Sequence, residues 1–294
     1  MTRKLMALAL TIAFVSSIAS AQGTTSKVAT LTAAQIVEKN VAARGGLEAW
    51  RAVQSISTTG KMGVGGNQRA TLPVPQQRDQ AKAIVDTRPK DEVQLPFAMY
   101  MQRPLKSRFE LKLKNETAVQ VFDGTHGWKL RPYLNRSDAE PFTPDELKLA
   151  STQGELDGPL VDYAAKDTQV ELDGIESVEG QDTYKLKLSL KDGRQLHVWI
   201  DARTFLEVKI EGQPRRLDGR LHPVEVYYRD YRKVSGLEIP FLLETRVLPF
   251  TSTVKGFKDT PVPPEKIIID SVVVNPKLDA SLFMKPEVVT ASNR

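Results

Sequence analysis

The sequence has no cysteine and only three histidines in 294 residues. The lack of cysteine excludes disulfide bonds, thiol nucleophiles and cysteine-ligated metal centres. His126, His197 and His222 are too far apart in sequence to form a helical His-Glu-x-x-His zinc motif. The fold must therefore be stabilised by burial of a hydrophobic core, which a chain of this length can supply.

Motifs for covalent catalysis and for phosphate binding are also scarce. No Gly-x-Ser-x-Gly nucleophile elbow occurs, and the glycines at 63, 65 and 66 are not followed by the lysine and hydroxyl of a phosphate loop. Carboxylates are plentiful, so hydrolysis by a carboxylate pair stays open as an alternative. We expect a protein without catalytic activity that uses no metal and no other cofactor.

The first 21 residues have the three parts of a secretory signal peptide, namely a basic start, an apolar run and small residues at 19–21. The apolar run is shorter than the roughly 20 residues of a membrane-spanning helix. We predict cleavage before Gln22, export to the periplasm, and a flexible leader over residues 22–30.

The formal net charge is +5, and basic and acidic residues are intermixed along the chain. A nucleic-acid-binding surface requires a clustered basic stripe, which this sequence lacks. We therefore expect no nucleic-acid partner.

Residues 32–50 predict a helix. Thr32 and Gln35 have the spacing of a capping box, and the apolar side chains that follow recur on one helical face. Gly45 and Gly46 should end the helix, and residues 47–52 can form a second short turn. Further along, Thr143 can cap a helix that begins at Pro144, and a short helix is predicted at residues 160–165.

From residue 55 the apolar period changes to two, which indicates strands with one buried and one solvated face. The clearest example is a hairpin formed by residues 185–192 and 194–201, with Asp192 and Gly193 in its turn. We predict an α+β fold built on a curved, mostly antiparallel sheet that partly surrounds a few helices. A single domain is expected over residues 31–285, with an excursion or flap at 63–90 and a tail at 286–294.

Long apolar side chains recur on the buried face of the predicted strands. Each of them has an ordinary role in core packing, but a gap between sheet and helices would give them a common function, since such a lining suits acyl chains. The candidate cavity-lining, lipid-binding residues are Phe109, Leu111, Leu113, Tyr184, Leu186, Leu188, Val208, Ile210, Tyr228, Phe241 and Leu243.

Several passages resemble the LolA-like superfamily, which includes periplasmic lipoprotein carriers and outer-membrane lipoprotein-sorting proteins. One of them, at residues 121–128, matches the Asp-Gly-x-x-Gly-Trp hairpin common in that group. Similar passages cover residues 43–50, 53–60, 102–111, 158–163, 178–180, 184–186 and 200–201.

The resemblance implies an unclosed β-barrel in which lid helices cover a hydrophobic concavity. Family carriers shield the acyl chains of lipoproteins in that concavity, so lipid or an acylated lipoprotein is the expected partner, bound by a monomer. This chain departs from the compact carriers in its 63–90 excursion and in the residues after 250. The alternative is an interaction module of the cell envelope, in which side chains fill the core and the partner is an envelope membrane protein.

Overall fold

The structure is a computed structural model of the chain. The predicted signal peptide and leader, most of the 63–90 excursion and the end of the tail lie outside the residues that it describes. The described residues are 31–65, 92–153, 155–217, 220–249 and 262–287.

Three α-helices lie in these ranges, and the caps that the sequence predicts are present at two of them. Helix α1 (Ala33–Ala43) begins with the predicted capping box, in which Thr32 and Gln35 each accept the backbone N–H of the other. Helix α2 (Leu47–Arg51) follows Gly46. Helix α3 (Pro144–Gln153) begins after Thr143, whose hydroxyl accepts from the backbone N–H of Glu146.

The described residues form one thirteen-stranded sheet in which all neighbouring strands are antiparallel. The strands are β1 Ser55–Val64, β2 Val93–Gln102, β3 Lys106–Leu113, β4 Glu116–Phe122, β5 Gly127–Arg131, β6 Arg136–Pro141, β7 Gln169–Val178, β8 Gln181–Ser189, β9 Gln195–Asp201, β10 Glu207–Leu217, β11 Arg220–Val234, β12 Leu237–Val247 and β13 Glu265–Val274.

The sheet consists of two meanders, β1–β6 and β7–β13, that meet where β1 pairs with β13. Strands β6 and β7 are its two edges, so the sheet is unclosed. The chain passes from one edge to the other through α3 and then through residues 155–168. We call residues 155–168 the cover segment. The predicted fold class, a curved and mostly antiparallel unclosed barrel with a few helices, is confirmed, and the predicted hairpin is formed by β8 and β9.

The helix predicted at residues 160–165 is wrong. These residues form a succession of turns, and Asp162 lies in the left-handed region with φ +53°. A right-handed helix cannot pass through such a residue without losing its hydrogen-bond register. The carboxylate of Asp162 instead accepts two hydrogen bonds from Arg51 of α2, at 2.7 and 3.0 Å.

The most deeply buried side chains come from α1, the cover segment, β8 and β9. Leu186, Leu188, Ile200 and Leu160 are each 0% exposed, as is Ile36 of α1. This core fixes the cover segment above the second meander, where the candidate site lies.

Candidate ligand cavity

A cavity of about 630 Å³ lies between the cover segment and strands β9–β11. On its sheet side, Leu196 from β9, Ile210 from β10, and Val226 and Tyr228 from β11 supply apolar surface, and Glu211, Gly212 and Gln213 of β10 also line it. The opposite wall and the rim come from the end of α3, the cover segment and the β8–β9 turn; they comprise Ser151, Thr152, Glu155, Gly158, Pro159, Lys166, Thr168, Leu190, Lys191, Asp192 and Arg194.

The cavity continues inward into a recess of about 200 Å³. The two spaces share lining residues on both walls, including Pro159, Ile210 and Tyr228. The recess differs from the main cavity in its polar end, where Arg44, Glu207 and Tyr231 line it; Leu156, Leu160, Val198 and Pro240 supply apolar surface.

At the other end the cavity meets a gap between β9 and β10. These strands pair only near Ile200, Trp199 and Val198, and they separate towards the β8–β9 turn. There the backbone N–H of His197 donates to the Glu211 carboxylate at 2.9 Å. A space of about 420 Å³ fills the gap and shares Leu196, Gly212 and Gln213 with the main cavity.

A cluster of ion pairs fastens the cover segment. The carboxylate of Asp157 accepts from Arg103 at 2.8 Å and from Lys166 at 2.7 Å, and Lys166 also lies 2.8 Å from Glu155. Burial alone would raise the pKa of Asp157, but the hydrogen bonds from Arg103 and Lys166 outweigh it and lower that pKa below its usual value. The cover is thus held by charge-assisted contacts as well as by its buried leucine.

Two tyrosines face the recess and differ in their hydrogen bonding. The hydroxyl of Tyr231 donates to the backbone carbonyl of Glu207 at 3.0 Å. The hydroxyl of Tyr228 has no hydrogen-bond partner among the described residues. Burial and the charge of Glu207 raise the pKa of both phenols, so both are protonated at neutral pH.

The structure places the predicted lining residues in several different environments. Ile210 and Tyr228 line the cavity. Tyr184, Leu186 and Leu188 are at most 3% exposed and lie in the core, outside the residues that line the cavity, the recess and the gap.

The other predicted lining residues lie away from this space. Phe109 stacks on Phe97 at 5.9 Å in the first meander, and Val208 packs against the buried cluster of Val178, Trp199 and Tyr227. Leu111 and Leu113 lie with Phe109 on β3, and Leu243 and the buried Phe241 lie on β12.

Sequence reasoning missed Arg44, Glu207, Val226 and Leu196. Val226 precedes Tyr228 by two residues on one strand, so the alternation of side chains could have predicted that it lines the cavity as well. Nothing in the local sequence signals that Arg44 and Glu207 meet.

The structure is similar to that of a DUF1329 family protein from Desulfovibrio piger, with a TM-score of 0.51 and 12% identity over 85% of this chain and 95% of that one. A LolA superfamily protein from Nitrosomonas europaea matches with a TM-score of 0.49 and 15% identity over 87% of this chain and 98% of that one. The chain has a LolA-like fold. No family profile matches the sequence, and no curated protein matches it. At these identities the likeness concerns the fold alone.

The described ranges contain no group of three histidine, aspartate or glutamate side chains able to hold a metal ion. None of the helices in these ranges is both long and apolar enough to cross a membrane.

Proposed function

We propose that this chain is a non-catalytic periplasmic protein that binds or carries lipid or lipoprotein acyl chains between sites in the cell envelope. The observation that carries the proposal is the cavity under the cover segment. Its volume of about 630 Å³ lies within the range of roughly 300–1,000 Å³ that small-molecule sites occupy. Export by the predicted signal peptide and action as a monomer belong to the same proposal.

The chemistry of the lining favours an amphiphile. Leu196, Ile210, Val226 and Tyr228 supply apolar surface on the sheet side, and burial of each methylene group against them contributes about 0.8 kcal/mol. The cations at the rim are paired within the protein, since Lys191 lies 2.8 Å from Asp167 and Arg194 lies 2.6 Å from Asp192. Lys191 and Arg194 therefore present no uncompensated positive charge at the rim.

The proposal is tested by native mass spectrometry of the full chain purified without detergent from bacterial envelope. A bound phospholipid, fatty acid or acylated peptide is the expected result. In parallel, Ile210→Trp fills the cavity from its sheet side and should weaken binding of the neutral fluorescent probe N-phenyl-1-naphthylamine at least ten-fold. Ile268→Trp is the matched control, because Ile268 is 41% exposed on β13. Equal binding by both variants would contradict the proposal.

A second candidate, the envelope interaction module, is favoured by a different surface. An open, mainly apolar groove of about 660 Å³ runs between α1, α2 and residues 162–165, with Val37, Val41 and Leu47 in its lining. In addition, Tyr184, Leu186 and Leu188 are packed against neighbouring atoms. Cross-linking in cells from a cysteine placed at Ala34, which lines this groove, separates the two functions, because an interaction module yields one stable protein partner and no lipid.

A further inference from the structure

The inner recess brings an ion pair and two phenols together. Arg44, Glu207, Tyr228 and Tyr231 line it together. The main cavity reaches this recess along Ile210 and Tyr228, which line both spaces. A ligand chain lying on the sheet side of the cavity would therefore place one of its ends among these four side chains.

Arg44 and Glu207 pair with each other at the polar end of the recess, and Glu155, which also lines the recess, pairs with Lys166. The guanidinium of Arg44 lies 3.2 Å from the carboxylate of Glu207, donates to the carbonyl of Asp157 at 3.0 Å, and stacks 4.4 Å from the Trp50 ring centre. A ligand carboxylate at this point would meet the charge of Glu207, and a ligand ammonium would meet that of Arg44. Either would have to separate a largely buried ion pair, which is costly.

Tyr228 is the group in the recess with hydrogen-bonding capacity to spare. The Tyr231 hydroxyl is engaged by Glu207, whereas the Tyr228 hydroxyl has no partner in the described part of the chain. A protonated phenol can both donate and accept, so it can bond an alcohol or an ester carbonyl without any change of charge.

The amount of space limits the number of chains. A water molecule, which is close in size to a methylene group, takes about 30 Å³ of liquid. By that measure the main cavity of 630 Å³ holds about 20 non-hydrogen atoms. The main cavity taken alone therefore has room for one acyl chain and not for two long chains.

We propose that the ligand is a single-chain amphiphile whose uncharged polar end enters the recess and hydrogen-bonds to the hydroxyl of Tyr228, with its chain lying along Ile210 and Val226 towards the rim. This inference rests on the proposed function and specifies its ligand class.

The test compares three ligands with the same chain, 1-dodecanol, dodecanoate and dodecyltrimethylammonium, as competitors of N-phenyl-1-naphthylamine on the full chain. The wild type should bind the alcohol most tightly. Tyr228→Phe should lower the affinity for 1-dodecanol about 5- to 10-fold, which is the equivalent of one net hydrogen bond. It should change the affinity for dodecanoate less than about two-fold. Tyr133→Phe is the control, because Tyr133 is exposed on the turn Pro132–Leu134.

A second variant inverts the preference. Glu207→Gln leaves Arg44 without its carboxylate, so the recess should then favour dodecanoate over 1-dodecanol. Unchanged affinity of Tyr228→Phe for 1-dodecanol, with the probe still bound, would overturn the inference and leave the proposed function standing. Failure of the wild type to bind the probe or any of the three ligands would overturn the proposed function itself.

Discussion

Arg44 forms an ion pair with Glu207, and its contacts connect three separate parts of the fold. It follows helix α1, pairs at 3.2 Å with the carboxylate of Glu207 at the start of β10, and donates to the Asp157 carbonyl of the cover segment. The side chains of the pair are only 12% and 10% exposed. Loss of one partner would leave the other charge largely buried and unpaired, whereas loss of both would not.

We therefore expect Arg44→Met to lower the free energy of unfolding by about 3 kcal/mol. The double variant Arg44→Met with Glu207→Gln should recover part of this loss, because it removes the stranded carboxylate as well. Urea unfolding of the four proteins in the cycle gives the coupling energy. A loss below about 0.5 kcal/mol for Arg44→Met would show that the pair contributes little.

The contribution of Asp157 to stability should depend on pH. Arg103 and Lys166 lower its pKa below the usual 3.8 against the opposing effect of burial. A carboxyl with a depressed folded-state pKa stabilises fully above its unfolded value, and this stabilisation is lost as the pH falls through the folded value. Asp157→Asn should therefore lower the free energy of unfolding by about 2 kcal/mol at pH 7. This difference in stability from the wild type should shrink below about pH 3.8.

The measurement for Asp157 is the urea midpoint of both proteins between pH 7 and pH 2.5. Glu116→Gln serves as the control, since Glu116 is exposed at the start of β4. A difference between Asp157→Asn and wild type that stays constant down to pH 2.5 would mean that the charge of Asp157 is not what fastens the cover segment.

Gly45 and Gly46 offer a matched pair of substitutions. Both have positive φ, at 117° and 94°, but a Cβ on Gly45 would lie 2.6 Å from the carbonyl oxygen of Gly236, and one on Gly46 would meet nothing within 4 Å. Gly46→Ala should lower the free energy of unfolding by about 1–2 kcal/mol through backbone strain alone. Gly45→Ala should lower it by about 3 kcal/mol or more, because the clash with Gly236 adds to the strain. Thermal or urea unfolding of the two variants measures the difference, and equal losses would argue against close contact of α1 with β12.

The parts of the fold that the sequence predicts are those set by neighbouring residues. The Thr32 and Thr143 caps, the Gly45–Gly46 break and the β8–β9 hairpin all depend on short-range spacing. The cover segment is different, because the left-handed turn at Asp162 depends on Arg51, which lies on a distant helix.

The candidate site is harder to predict for a related reason. Alternation assigns Leu186, Leu188 and Ile210 to a buried face of the sheet in the same way. It does not say what covers each of them. Leu186 and Leu188 are fully buried in the core, whereas Ile210 faces open space, and the difference is set by where the cover segment passes. The pairing of Arg44 with Glu207 likewise depends on contacts that no local pattern encodes.

The volume of the cavity predicts how affinity should change with chain length if the proposed function is right. Each methylene buried against the apolar lining contributes about 0.8 kcal/mol, so affinity for 1-alkanols should rise roughly four-fold per added carbon. The rise should stop once about 20 non-hydrogen atoms fill the 630 Å³ available, because further carbons would remain in water. Competition with N-phenyl-1-naphthylamine across alkanols of 8 to 22 carbons measures the limit.

The same series in Ile210→Trp provides the control for chain length. A tryptophan that occupies part of the cavity should move the limit to shorter chains, while Ile268→Trp should leave it unchanged, since Ile268 lies on the exposed side of β13. A two-chain phospholipid should compete poorly with both the wild type and Ile268→Trp. An affinity that keeps rising beyond 20 carbons, or a two-chain lipid that binds as well as a single chain, would mean that the acyl chain lies elsewhere on the molecule, with the apolar groove beside α1 as the next site to test.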